Sequence, residues 1–150
     1  MPMPSEYQRA SLEFEKFLVD AREASGLTTT NQVYTMVQGV LQTFRRRLTL
    51  PEAIQFAGVL PPVLRALFVA DWNPNEPRRS FGDTASQHWR ERAEMTQEVQ
   101  SLRADHNFAP DIAIQAVAIA LRKNIDETKL DGVLSVLPTP AHDFWSYYPN

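Results

Sequence analysis

The second half of this chain repeats the first at an offset of 77 residues, with no gap over the best stretch. Gln38, Val40, Arg45, Val59, Leu60 and Pro61 return as Gln115, Val117, Arg122, Val136, Leu137 and Pro138. Phe44, Arg46, Leu48, Phe56 and Phe68 return conservatively as Leu121, Lys123, Ile125, Val133 and Trp145. A duplicated unit of about 75 residues is marginal alone and more stable when two copies share a core. The 150 residues are therefore expected to form one domain of two tandem, pseudo-symmetric four-helix repeats. The repeats would occupy about 5–72 and about 83–150, joined by a linker at about 73–82.

Periodicity makes each unit helical. Tyr7, Ala10, Phe14, Phe17, Leu18 and Ala21 recur at steps of three and four and predict a helix ending at Gly26. Val33, Met36, Val37, Val40, Leu41, Phe44 and Leu48 form the next stripe, with Thr28, Thr29 and Thr30 as capping candidates. Thr49 and Glu52 have the spacing of a capping box and open a short helix. Pro61-Pro62 breaks it and opens another. Asp71 to Ser80, with Asn73, Pro74, Asn75, Pro77 and two arginines, reads as linker. In the second unit a helix is expected from about Asp83 to Asp105, and Pro110 would mark the first turn of an apolar helix through Leu121. Asp126 would cap a short helix, and Pro138 and Pro140 a last one through Phe144 and Trp145. The expected class is all-α, a single helical bundle with the Val33–Leu48 and Ile112–Leu121 helices central.

Composition excludes several kinds of protein. With no cysteine there is no disulfide framework and no Cys-based zinc site. A net charge of −3 supplies no field to gather nucleic acid or an anionic membrane. The longest apolar run, Ile112 to Leu121, is about half the length of a bilayer span. The first residues lack the basic and apolar stretches of a signal peptide, so the expected location is the cytoplasm.

Motifs with chemistry are scarce. His88, His106 and His142 are scattered, and the nearest metal set, His88 with Glu91, Glu94 or Glu98, reads better as a solvated charged face. Isolated glycines build no phosphate loop, and no nucleophile elbow is present. No catalytic residue, metal site or cofactor is assigned. Arg45-Arg46-Arg47 sits at the last turn of a helix, where the dipole favours cations, and is also a candidate contact for an anionic partner. Tyr147 and Tyr148, in the aromatic tail, are candidate interface residues. Phe68, Trp89 and Trp145 are candidates for lining a groove between the repeats.

The run Val40-Leu41-Gln42-Thr43-Phe44-Arg45-Arg46-Arg47-Leu48, with Leu60-Pro61-Pro62-Val63-Leu64-Arg65-Ala66-Leu67-Phe68 and then Trp72 and Pro74, resembles the bacterial family called domain of unknown function 2267. Val136-Leu137-Pro138 and Phe144-Trp145 are similar to that family's second copy of the pattern. The resemblance spans about Ala10 to Tyr148 and implies a small helical protein of the bacterial cytoplasm, without catalytic or binding residues to carry over. His142 stands where a second arginine matching Arg65 would fall. The expected function is a non-catalytic module acting through protein contacts, as an adaptor or by self-association. The alternatives are a small ligand between the repeats, or anion or nucleic-acid contact at Arg45-Arg46-Arg47.

Overall fold

Local chemistry sets the helix boundaries. The structure is a computed structural model that describes residues 3–81 and 91–146 in full and 88–90 by their backbone. A single turn, α1 (Ser5–Gln8), precedes α2 (Ala10–Ser25), which stops where Gly26 enters the left-handed region at φ 80° and donates to the Arg22 carbonyl. Thr29 and Gln32 exchange capping bonds to start α3 (Thr30–Arg45), and Thr49 and Glu52 do the same for α4 (Leu50–Ala57). Pro62 opens α5 (Pro62–Val69), where a missing N–H costs no helical bond. After α6 (His88–Ser101) and a 3-10 turn (Ala104–His106) come α7 (Ala113–Asn124), α8 (Glu127–Leu134) and α9 (Thr139–Phe144). The described residues contain helices and no strand, so the protein is all-α.

Three boundaries differ from the sequence expectation. The first helix is interrupted at Arg9, whose φ of −102° and ψ of 8° leave the helical range. The helix expected to reach Asp105 ends at Ser101, because Arg103 turns left-handed at φ 50°. Pro110 lies ahead of α7 and not in its first turn; its carbonyl accepts from Ala113 N–H in a separate turn.

Some local features recur 77 residues apart. α8 covers the positions offset from α4, α9 starts at the offset from α5, and the left-handed residues Gly26 and Arg103 share that spacing. Arg45 donates to the Phe68 carbonyl at 2.9 Å, and Arg122 to the Trp145 carbonyl at 2.8 Å.

The long helices pack across the halves. α2 lies along α7, and α3 lies along α6. At the second crossing Gly39 permits the close approach, since a methyl group there would stand 2.9 Å from the Val99 carbonyl oxygen. Between these pairs sits an aromatic cluster. Phe44 meets Phe56, Phe144 and Trp145 at ring separations of 4.7, 4.9 and 5.3 Å, and Phe56 links them to Phe68 at 5.2 Å. These rings are fully buried, so α3, α4, α5 and α9 are held by one core drawn from both halves. No helix among the described residues is long and apolar enough to cross a membrane.

Candidate functional site

The C-terminal end of α3 carries three consecutive arginines, and a helix rotates successive side chains by about 100°, so each leaves in a different direction. Arg45 points inward and is 2% exposed. Its Nη1 donates to the carbonyls of Phe68 and Ala70, both at 2.9 Å, closing the end of α5. Its guanidinium lies 5.3 Å from the Trp72 ring. Burial pushes the Arg45 pKa down, Arg46 adds to that, and Glu76 and Asp71 oppose it.

Arg47 is also buried, and turns the other way. It donates to the Thr43 carbonyl at 2.8 Å, to the Ser80 carbonyl at 3.1 Å, and to both oxygens of Glu98 at 3.0 and 3.2 Å. Arg46 reaches Glu98 at 3.3 Å and Glu76 at 3.9 Å, and Arg79 joins the same two carboxylates. Burial alone would raise the Glu98 pKa. The hydrogen bonds and charges of Arg47 and Arg79 outweigh it and hold the carboxyl below its ordinary value.

This network changes the meaning of the segment after α5. Asp71 to Phe81 is a strap fastened to α3: Arg79 N–H donates to the Arg46 carbonyl at 2.9 Å, and Phe81 is buried 5.8 Å from Phe44. Between the strap and the start of α4 lies a cleft of about 270 Å³. Arg45, Arg46 and Arg78 supply its positive side, Glu76 a single acid, and Leu48, Leu50, Trp72, Pro74 and Pro77 its apolar walls. Arg78 is exposed and makes no ion pair among the described residues.

The sequence candidates thus separate. Arg45 and Arg47 are buried fasteners and do not form an exposed basic triplet with Arg46; Arg45 and Arg46 both line the cleft. Phe68 and Trp145 are fully buried in the aromatic cluster with Phe56 between them. The Trp89 side chain, Tyr147 and Tyr148 lie outside the described residues. Of His88, Glu91, Glu94 and Glu98, expected as a solvated charged face, the His88 side chain lies outside the described residues and Glu98 is largely buried against arginines. Arg65 stitches the α4–α5 break, donating to the Ala57 and Leu60 carbonyls at 3.1 and 2.9 Å. Its counterpart His142 is exposed beside Ser146 and Asp143.

Sequence reasoning missed Glu98 and Trp72 as partners of the arginines. A signal was present in the paired arginines of the strap, which need acceptors nearby, but not which acidic residue would supply them.

The family model described as "Uncharacterized conserved protein (DUF2267)" matches residues 14–144. No curated protein matches the chain. The matched span runs from Phe14 of α2 to Phe144 of α9 and takes in both packed helix pairs, the strap and the arginine cluster; the chain belongs to the DUF2267 family.

Proposed function

We propose that the chain is a non-catalytic interaction module of the bacterial cytoplasm that binds another protein through α4 and the neighbouring cleft. A fold without cysteine needs no oxidising compartment. The observation that carries the proposal is the outer face of α4. Leu50 and Ile54, one helical turn apart, are 54% and 62% exposed. At the offset of 77 residues, α8 carries Glu127 and Asp131, both exposed. At the same offset α8 thus carries acids where α4 carries exposed apolar side chains. Leu50 continues that surface into the cleft beside Trp72, Pro74 and Pro77. Contiguous apolar surface with a polar rim is the composition of an interface core.

The test is photo-crosslinking in the native cells, with a photoreactive residue at position 54 and, as control, at position 127. Discrete adducts to one protein from 54 and none from 127 are expected. Adducts absent from both positions, or equal at both, refute the proposal.

A further inference from the structure

Arg45 is a buried cation with no carboxylate within ion-pair distance among the described residues. Two carbonyl dipoles and the Trp72 ring solvate it, and its Nε–H has no acceptor. The arginine at the offset of 77 residues is treated differently. Arg122 makes the matching carbonyl bond to Trp145 and also pairs with Asp131 at 3.0 Å. The position equivalent to Asp131 is Ile54. One half therefore carries its own counter-charge on the short helix, and the other presents an exposed apolar residue there. Arg46 is paired with Glu98, but its buried Nε–H lies 3.9 Å from Glu76 and has no hydrogen-bond acceptor among the described residues. Arg78, at the mouth, has no partner among the described residues. A charge buried without its pair is costly, and an incoming anion relieves that cost.

We propose that the cleft between the strap and α4 binds an acidic, apolar peptide segment of the partner protein. A carboxylate of the segment meets Arg46 and Arg78 and brings negative charge to the cleft that Arg45 also lines. A neighbouring large apolar side chain packs on Leu50 and Trp72. Guanidinium groups suit a carboxylate because their planar donors match its two oxygens. About 270 Å³ is below the usual range of small-molecule pockets, roughly 300–1,000 Å³, and fits one or two side chains of an extended segment. Glu76 on the strap is the internal competitor, held 3.9 and 3.8 Å from Arg46 and Arg79, and the segment displaces it from Arg46. Three cations beside one acid, on a chain of net charge −3, favour a short acidic contact over a run of phosphates, which binds through many cations at once.

This inference rests on the interaction-module proposal, and its test is separate. Random dodecapeptide phage are panned against the full chain, and the most enriched peptide is measured by fluorescence anisotropy. Enriched peptides should place Asp or Glu within three residues of Trp, Phe or Leu. Binding should weaken at least ten-fold in Arg78→Glu and stay within two-fold in Lys129→Glu, which makes the same charge change on α8. Ile54→Asp, which installs the missing carboxylate, should also weaken it, with a thermal melt confirming that each variant is folded. Enrichment no greater than for the Arg78→Glu protein, peptides lacking acids, equal affinities of the two charge variants, or displacement of the peptide by a 20-nucleotide single-stranded DNA each overturn the proposal. If position 54 still crosslinks to one protein after such a result, the interaction module stands and the cleft is not its acidic-peptide site.

Discussion

Replacing Glu98 by Gln removes the charge on which Arg46, Arg47 and Arg79 converge while keeping the side chain's shape. The Glu98 side chain is 10% exposed and that of Arg47 is 7%, so this pair is out of water. Breaking such a pair from one side costs about 3–5 kcal/mol, because a buried charge is left unmatched. Glutamine keeps one acceptor for Arg47, and the more exposed Arg46 and Arg79 turn to solvent at a cost of roughly 0–1 kcal/mol each. The expected loss is about 2–3 kcal/mol, or roughly 5–10 °C in melting temperature for a chain of this size. Urea titration at pH 7, with the same slope for both proteins, measures it. The pH dependence gives an independent check. Glu98 has a folded pKa below its ordinary value of 4.5, so its stabilisation is full above that pH and is lost as pH falls through the folded value. The gap between wild type and Glu98→Gln should therefore be constant near neutrality and close below about pH 4.5. A variant within 0.5 kcal/mol of wild type, or a gap that widens with acid, would refute the structural role given to this cluster.

Three more changes test the packing. Gly39→Ala should destabilise by about 1–3 kcal/mol in urea titration despite alanine's better helix propensity, since its methyl would meet the Val99 carbonyl, which is backbone and cannot rotate away. Phe56→Ala should cost about 3–5 kcal/mol by the same measurement, because it removes the ring that joins Phe44, Phe68 and Trp145. Arg103→Gly should raise the melting temperature slightly: it relieves a left-handed residue at a cost of about 1 kcal/mol or less in chain entropy, against about 1–2 kcal/mol of steric strain. An unchanged or lower melting temperature would show that the Arg103 side chain contributes more than its backbone strain costs.

What was legible in the sequence is what short-range chemistry decides. Thr49 with Glu52, Asp126, Gly26 and the prolines act on residues within one turn, so the starts of α4, α5, α8 and α9 were readable directly. Arg103 was not, because a non-glycine residue turns left-handed only when its surroundings require it. The arginine triplet shows the larger limit. Dipole and composition arguments concern the helix on which Arg45, Arg46 and Arg47 sit, whereas their roles come from Phe68, Ser80 and Glu98, from 23 to 52 residues away. Phe68 was legible as inward-facing and Trp145 as a core residue by its match to Phe68, but which rings they would meet was not, since periodicity gives a face and not what covers it.

The crossed packing of the long helices bears on how the chain acquires its structure during synthesis. Asp20 of α2 meets Asn124 of α7 across 104 residues of sequence, and Lys16 meets it across 108. Helical proteins of this size usually fold fast because their contacts are local, and rates fall as the sequence separation of contacts grows. Here α2 waits for α7 and α3 for α6, so a ribosome that has released only the first half has delivered helices without their most extensive packing partners, although α2, α3 and α5 already meet one another. A chain cut in the strap after folding should hold together as two associated fragments, whereas the first half expressed alone should stay loosely packed.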